Sequence, residues 1–182
     1  MIKRFLEEIK PLRTRHYVDQ SVYQRFVRRI NQGNLTKTDN PRSHVCVFFL
    51  PVDASRRKIY LGHHIKANDW IPPGGHIDPG ELPRLTVRRE SREELRFDPD
   101  PLTIHLFDLS IKPIVPAKFG CARHFDIWYI VRQKTQRFAY LKREYYAGRW
   151  VNLAQANQLV RRNPDYLRII NKLPDLVFRQ AV

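Results

Sequence analysis

The sequence predicts an α/β fold, an α/β/α sandwich with a mixed β-sheet that is preceded by a helical N-terminal extension. Three observations lead to this prediction: apolar runs of strand length, an acidic helix between them, and two amphipathic helices before the first strand. The chain has 182 residues, of which 42% are hydrophobic, and this is enough for a buried core.

The N-terminal extension is predicted to contain two helices. Met1–Lys10 carries its apolar residues on one stripe, and a second helix is expected from Asp19 to Asn31, closed by Gly33. A polar segment then separates the extension, residues 1–40, from the main domain, residues 41–182. We expect the helix pair to pack on the core of its own chain or on a partner subunit.

The main domain is predicted to begin with strands and to end with helices. Four apolar runs have the composition of strands: His44–Leu50, Lys58–His63, Leu102–Ile111 and Phe125–Val131. The proline-containing segment Lys112–Gly120 is predicted to be a loop. Asn152, with Gln155 three residues later, predicts a helix N-terminus, and this helix is expected to reach about Arg162. A last helix is predicted over Asp165–Lys172.

The charge balance is strongly basic. The chain has 33 Lys and Arg against 18 Asp and Glu, a formal net charge of +15. Such an excess favours polyanionic partners such as nucleotides, polyphosphates or nucleic acid, and a solvated basic surface is the alternative. No recognisable RNA-binding motif or long basic run decides between them.

Composition also bears on location. No apolar run approaches the ~20 residues that a membrane span needs, and the charged N-terminus lacks the apolar centre of a signal peptide. We therefore expect a cytoplasmic protein that does not cross a membrane. In that reducing compartment, Cys46 and Cys121 are predicted to be buried free thiols.

The acidic helix, predicted over Pro83–Leu95, is the main functional signal. Glu90, Glu93 and Glu94 are spaced i, i+3 and i+4, which puts them on one face of the helix. Like charges so close repel each other, and a divalent metal ion offsets that repulsion. Carboxylate oxygens are hard ligands that suit Mg²⁺ or Mn²⁺.

The spacing of this stretch resembles the Nudix hydrolase signature. Its specified residues follow one another at gaps of five, seven and two residues: Gly75, Glu81, Arg89-Glu90 and Glu93-Glu94. The box opens with Gly-Gly-His, as in one subgroup of the family. The resemblance implies a Nudix-like fold and hydrolysis of a diphosphate linkage.

The resemblance also implies roles for single residues. Glu90, Glu93 and Glu94 would bind the metal together with the backbone carbonyl of Gly75. Arg89 would point away from the metal face and pair with a glutamate of the box to orient it.

The general base stays open between a glutamate of the box, such as Glu93 or Glu90, and Glu144. An acidic residue shortly before a tryptophan such as Trp150 often joins the metal site in this family. The alternative for Glu144 is a surface glutamate paired with Lys142 or Arg143.

Two positions depart from the signature. Ser91 stands where an aliphatic residue usually packs the helix on the sheet, at an expected cost of about 1 kcal/mol. Arg96 stands where the family has glycine, and a left-handed conformation there costs a residue with a side chain roughly 1 kcal/mol. Neither position supplies a metal ligand, so we expect catalysis to survive.

Substrate contacts are assigned to His76, Trp70, Lys66 and Arg123, with Tyr145 and Tyr146 as further candidates. Specificity is expected to depend on three loops: Lys66–Trp70, Lys112–Gly120 and Gln136–Arg149. The histidines of the sequence lack metal-ligand spacing, so a zinc site is not expected.

The predicted function is metal-dependent hydrolysis of a diphosphate linkage in a nucleoside diphosphate linked to another moiety. The substrate would be a phosphorylated small molecule of nucleotide type, and the enzyme a monomer or a homodimer. One alternative is a pyrophosphohydrolase that acts on the 5′ end of RNA. Another is a non-catalytic protein that binds nucleotides or nucleic acid.

Overall fold

The structure is a computed structural model that describes residues 1–118 and 121–179. The helices are α1 (Ile2–Ile9), α2 (Gln20–Asn31), α3 (Pro83–Leu95), α4 (Leu153–Leu159) and α5 (Pro164–Ile170). The strands are β1 (Ser43–Asp53), β2 (Lys58–His64), β3 (Asp69–Ile71), β4 (Gly74–His76), β5 (Ile104–Lys118), β6 (Cys121–Arg132) and β7 (Tyr145–Asn152). The predicted α/β fold with a mixed sheet and an N-terminal helical segment is confirmed.

The strands form one seven-stranded sheet. Its order is β3-β2-β1-β6-β5, with β4 paired to β1 and β7 paired to β2. Contacts divide the chain into two compact units. The first unit comprises residues 1–48, 74–87 and 106–129, and the second comprises residues 49–73, 88–105 and 130–182.

In the first unit, the N-terminal helices pack on their own chain, which is one of the two expected arrangements. The Glu8 carboxylate of α1 accepts hydrogen bonds from the Arg84 amide (2.7 Å) and the Tyr129 hydroxyl (2.5 Å). Phe26 of α2 meets Phe125 of β6 edge to face, with ring centroids 5.2 Å apart. Aromatic burial of this kind fixes α2 against the sheet.

In the second unit, β2 and β7 form an antiparallel ladder that pairs Lys58 with Asn152 and Tyr60 with Trp150. The ladder leads directly into α4. The Asn152 side chain accepts a hydrogen bond from the Gln155 amide, and the Gln155 side chain accepts one from the Asn152 amide. The predicted capping box is therefore confirmed.

Four local predictions are wrong. Lys66–Trp70 was expected to be a loop, but β3 begins at Asp69 and pairs with β2. The segment from Lys112 was expected to be a loop, but β5 continues to Lys118, and the expected end of the loop, residues 119–120, lies outside the described residues. β5 is the last strand in the order, and prolines are tolerated in an edge strand because it leaves amide positions unpaired. The predicted loop up to Arg149 contains the start of β7. The helix that was expected to reach Arg162 ends at Leu159.

Two further findings concern the cysteines and the helices. Cys46 and Cys121 are both buried and free, as predicted. Within residues 1–118 and 121–179, no helix has the length and apolar character needed to cross a membrane.

Candidate active site

The acidic helix α3 has the predicted bounds, and both of its ends are held by local contacts. Ahead of its first turn, the Glu81 carboxylate accepts hydrogen bonds from the Thr86 hydroxyl (2.8 Å) and the Asp78 amide (3.2 Å). After its last turn, Arg96 adopts a left-handed conformation with φ 53°, and the Phe97 amide donates to the Ser91 carbonyl at 3.1 Å. Arg96 thus takes the backbone conformation that glycine prefers.

Arg89 links two of the predicted metal ligands. Its Nη1 lies 2.9 Å from Glu90 Oε1 and 3.3 Å from Glu93 Oε2. The expected pairing with a glutamate of the box is confirmed, but the guanidinium does not point away from the predicted metal ligands. One cation held between two carboxylates reduces the repulsion that the spacing of the helix creates.

The three glutamates of the cluster differ in their surroundings. Glu90 and Glu94 are buried, whereas the Glu93 side chain is 57% exposed. Burial raises the pKa of Glu90 to about 7 although Arg89 acts to lower it, and the carboxylates of Glu93 and Glu144 add to the rise. A carboxyl group with a pKa near neutrality exchanges protons readily at physiological pH.

Glu94 is set among tyrosines of β2 and β7. Burial raises the pKa of Tyr145 well above its usual value, and the nearby Glu94 carboxylate raises it further. The main-chain carbonyl of Glu94 accepts a hydrogen bond from the Leu141 amide at 2.8 Å. This bond ties the segment before β7 to α3.

Glu144 lies in the turn that precedes β7. Its carboxylate interacts electrostatically with Glu90 and with His64 of β2. Its main-chain carbonyl accepts a hydrogen bond from the Ile65 amide at 2.7 Å, which fixes the turn against the end of β2. The neighbouring Arg143 is a loose partner, with Nε 3.9 Å from Glu144 Oε1. The structure therefore places Glu144 within electrostatic range of Glu90.

A group of rings and cations lies on β2, β3 and β7 in the same unit. The Trp70 ring stacks on His63, with centroids 5.3 Å apart and planes 11° apart, and the Arg149 guanidinium lies 5.3 Å from the Trp70 ring centroid. The ring centroid of Tyr146 lies 5.3 Å from that of His63, and Tyr146 is 61% exposed. We call these four residues the aromatic platform. Lys66 is exposed in the turn between β2 and β3.

Sequence reasoning identified Trp70 and Tyr146 in this platform but missed His63 and Arg149. These two residues were missed because strand β7 was not predicted. The register of β7 with β2 brings residues 145–149 beside residues 61–64.

The other predicted site residues belong to the first unit. Gly75 and His76 lie in β4, which pairs with β1 through Val47 and Cys46 respectively. A side chain at Gly74 would clash with the Val47 carbonyl and the Phe48 backbone, so the close approach of β4 to β1 requires glycine there. Arg123 lines a pocket of about 260 Å³ together with three arginines of α2: Arg25, Arg28 and Arg29.

Comparison with known proteins identifies the family. The model of the NUDIX domain matches residues 41–173. The chain belongs to the NUDIX family. The stretch from Gly75 to Glu94, which was predicted to be the Nudix box, lies within the matched residues.

Curated relatives of this Nudix protein include the asymmetrical bis(5′-nucleosyl)-tetraphosphatases. The mouse enzyme (Mus musculus) is 34% identical over 103 residues, which are 50% of this chain and 60% of the mouse protein. The Caenorhabditis elegans enzyme is 42% identical over 57 residues, which are 31% of this chain and 35% of that protein. The chain thus spans less than two thirds of the length of the curated relatives it matches.

Solved structures share the fold. The dihydroneopterin triphosphate pyrophosphohydrolase of E. coli aligns with a TM-score of 0.61 at 16% identity, over 70% of this chain and 92% of the other. The Ap4A hydrolase of C. elegans aligns with a TM-score of 0.54 at 15% identity, over 71% and 95% of the two chains.

The cluster of α3 and β7 is chemically suited to a divalent cation. It offers only carboxylate oxygens, and these hard donors match Mg²⁺ or Mn²⁺. Arg89 pairs with Glu90 and Glu93, and the carboxylates of Glu93 and Glu144 oppose the ionisation of the buried Glu90. Among the described residues, the groups whose ligand atoms all lie within 4.8 Å of one another are formed by His, Cys and Asp of the first unit.

Proposed function

We propose that the protein is a metal-dependent pyrophosphohydrolase that hydrolyses a diphosphate linkage in a nucleotide-type substrate. The observation that carries this proposal is the cluster of Glu90, Glu93 and Glu94 with Arg89 and Glu144. Among nucleoside diphosphates linked to another moiety, bis(5′-nucleosyl) tetraphosphates are the first substrates to test, because the curated relatives act on them.

The residues of the cluster have distinct roles in this proposal. Glu90, Glu93 and Glu94 would hold Mg²⁺ or Mn²⁺, which when bound neutralises phosphate charge and lowers the pKa of a water molecule. Metal binding by the Gly75 carbonyl stays a prediction. Arg89 orients Glu90 and Glu93 through its two ion pairs. Either Glu144 or a glutamate of the box accepts the proton of the attacking water, and Glu144 is supported by its electrostatic interaction with Glu90.

The aromatic platform would recognise a nucleobase. Tyr146 is the most exposed of its rings, and base stacking on such a ring contributes about 1–3 kcal/mol per base. Arg149 and Lys66 would add positive charge for the phosphates of the same substrate. Trp70 and Lys66 therefore keep their predicted role in substrate binding. Substrate contact by His76 and Arg123, on β4 and β6, stays a prediction.

The proposal is tested by replacing metal ligands. In an Mg²⁺-supported assay on bis(5′-nucleosyl) tetraphosphates, nucleotide sugars and nucleoside triphosphates, we expect Glu93→Gln and Glu94→Gln to lower kcat by about 100-fold or more on the best substrate. Chelation of the metal is expected to abolish the activity, and Mg²⁺ or Mn²⁺ to restore it. Glu7→Gln is the matched control, because Glu7 is an exposed glutamate in α1 that pairs with Lys10 at the surface.

Circular dichroism must show that the variants are folded before their kinetics are compared. If folded Glu93→Gln and Glu94→Gln both turn over the best substrate like the wild type, the proposed catalytic site is wrong. If the wild type hydrolyses none of the three substrate classes, the proposed activity itself is wrong.

A second candidate function is hydrolysis at a triphosphorylated 5′ end of RNA, favoured by the arginine-lined pocket of the first unit. Arg29 donates to the carbonyls of Gly33 and Asn34, so it is structural, whereas Arg25 and Arg28 are exposed. We expect the variant Arg25→Ala/Arg28→Ala to bind such RNA more weakly, with a salt dependence reduced by about 0.7 per lost phosphate contact. An unchanged salt dependence would exclude this pocket as the RNA site.

Three expectations about the whole protein belong to the same proposal. Residues 41–182 form the hydrolase domain behind an extension of residues 1–40, which is supported by the start of the family match at residue 41. The protein acts in the cytoplasm, in keeping with its free thiols. It acts as a monomer or a homodimer.

A further inference from the structure

A cluster of histidines and a cysteine lies in the first unit and has no part in the proposed carboxylate and metal chemistry of the hydrolysis. Its members are His44, His76, Cys121 and His124, and each offers one ligand atom within 4.8 Å of all the others. These residues come from three strands, β1, β4 and β6. We propose that this cluster is a structural zinc site, separate in its chemistry from the carboxylate cluster.

The donor set indicates the metal. Three imidazole nitrogens and one thiolate are the ligands of four-coordinate zinc sites, whereas Mg²⁺ and Mn²⁺ prefer oxygen. Cys121 Sγ lies 3.8 Å from His44 Nε2. Two ligands at the usual zinc distances and a tetrahedral angle are about 3.6 Å apart, so this pair is already close to the required separation.

The tautomer of His44 is set for metal binding. Its Nδ1 lies 3.1 Å from the Asn40 carbonyl oxygen, which can only accept a hydrogen bond. Nδ1 therefore carries the proton, and Nε2 presents its lone pair towards Cys121. A histidine ligand held by a backbone carbonyl through its other nitrogen is a recurrent feature of zinc sites.

His124 provides an independent observation. Its Nε2 is buried and has no hydrogen-bond partner among the residues that the structure describes. Buried polar atoms in native proteins nearly always have a partner, and each exception needs an explanation. A metal ion in the cluster would supply that partner. The ring centroids of His44 and His124 are 4.8 Å apart, and those of His44 and His76 are 4.9 Å apart.

A local irregularity in β6 brings its two ligands to one face. Side chains of a regular strand alternate, so Cys121 and His124, three positions apart, would point to opposite faces. However, the amides of Ala122 and Arg123 both donate to the Arg42 carbonyl, each at 3.0 Å. Two residues opposite one carbonyl form a β-bulge. The extra residue shifts the alternation of side chains by one position, so Cys121 and His124 point to the same face of the sheet.

The site has a structural rather than a catalytic character. His44 is fully buried and Cys121 is 6% exposed, and four protein ligands leave no open coordination position. On binding, the Cys121 thiol loses its proton to solvent, and the sulfur and three neutral imidazoles donate to Zn²⁺. The ion would fasten β4, which carries Gly75, to β1 and β6.

The test uses the full chain without a polyhistidine tag, in buffer with excess Mg²⁺ so that oxygen-ligand sites are filled. We expect the purified wild type to contain about one equivalent of zinc by elemental analysis. After replacement of zinc by Co²⁺, the spectrum should show intense visible bands typical of a tetrahedral site and a thiolate-to-cobalt band in the near ultraviolet.

Cysteine variants separate the proposed ligand from the other thiol. We expect Cys121→Ser to lose the thiolate band and to bind zinc at least about 100-fold more weakly, since a direct ligand costs more than the ~10–100-fold of an outer-shell partner. Cys46→Ser is the matched control: Cys46 is equally buried but belongs to a second group with His124 and Asp126. This variant should keep both the band and the affinity.

His76→Gln is a second ligand variant for the case that Cys121→Ser does not fold. It is expected to fold because His76 is only half-buried and the variant alters no thiol. We expect it to weaken zinc binding to a similar extent while it keeps the secondary structure measured by circular dichroism. The proposal is overturned if folded wild-type protein binds no zinc, if Cys121→Ser and His76→Gln bind it like the wild type, or if Cys46→Ser loses the band instead of Cys121→Ser.

Discussion

Asp53, at the end of β1, provides a quantitative test of how the second unit is held together. It is 3% exposed and accepts four hydrogen bonds: at Oδ1 from the Ser55 hydroxyl (2.7 Å) and the Arg56 amide (3.1 Å), and at Oδ2 from the Thr135 amide (2.6 Å) and hydroxyl (2.7 Å). In Asp53→Asn, one acceptor oxygen is replaced by an NH₂ group that faces two donors. Hydrogen bonds to a charged group contribute about 1.5–3 kcal/mol each, so losing two lowers the free energy of unfolding by about 3 kcal/mol or more.

The same contacts predict a pH dependence. Burial acts to raise the pKa of Asp53, but the hydrogen bonds from Thr135, Ser55 and Arg56 outweigh it and hold the pKa well below its usual value of 3.8. A lowered pKa stabilises the folded state above about pH 4, and this stabilisation is lost as the pH falls. With an unfolded-state pKa of about 3.9, the advantage of the wild type over Asp53→Asn should be about 1.3 kcal/mol smaller at pH 3 than at pH 7.

Urea unfolding, followed by tryptophan fluorescence at pH 7 and pH 3, measures both quantities. Asp98→Asn is the control, because Asp98 is an exposed carboxylate that pairs with Arg88 and Arg92 at the surface. It should change stability much less than Asp53→Asn. A difference between wild type and Asp53→Asn below about 1 kcal/mol at pH 7, or one that does not shrink in acid, would refute this reasoning.

Two further predictions concern backbone and packing. Arg96→Gly should raise the free energy of unfolding by up to about 1 kcal/mol, because Arg96 has φ 53° and glycine adopts that conformation without strain; a loss of stability in urea would contradict this. Gly148→Ala should lower the free energy of unfolding by about 1–3 kcal/mol, because the added methyl group would clash with the Tyr60 hydroxyl. The control is Gly80→Ala, which meets no atom within 4 Å and carries only the strain of φ +82°. Equal losses in the two alanine variants would rule out the packing explanation.

The helix of the predicted Nudix box could be located from the sequence because its signals lie along one continuous stretch. The bounds of α3 follow from local signals, and Glu90, Glu93 and Glu94 share a helix whose geometry does not depend on distant residues. The capping box of α4 was found for the same reason, since Asn152 and Gln155 bond only to each other's backbone.

Strand β7 was missed because two residues in its middle interrupt the strand-forming residues at its ends. Tyr145–Asn152 includes Ala147 and Gly148, and both are depleted in strands. The segment is extended because β2 offers it a partner, with Leu61 opposite Arg149 and Gly62 opposite Gly148. The aromatic platform depends on this pairing, so its full membership was not accessible to sequence reasoning.

The histidine and cysteine cluster shows the same limit more strongly. A ligand pattern is readable in a sequence when the ligands recur at short fixed gaps, and here only Cys121 and His124 are neighbours. Strict strand alternation would even place those two on opposite faces, and only the shared acceptor at Arg42 brings them together. Sites built along one helix can therefore be found from spacing alone, whereas sites built across strands depend on register and bulges that only the folded structure contains.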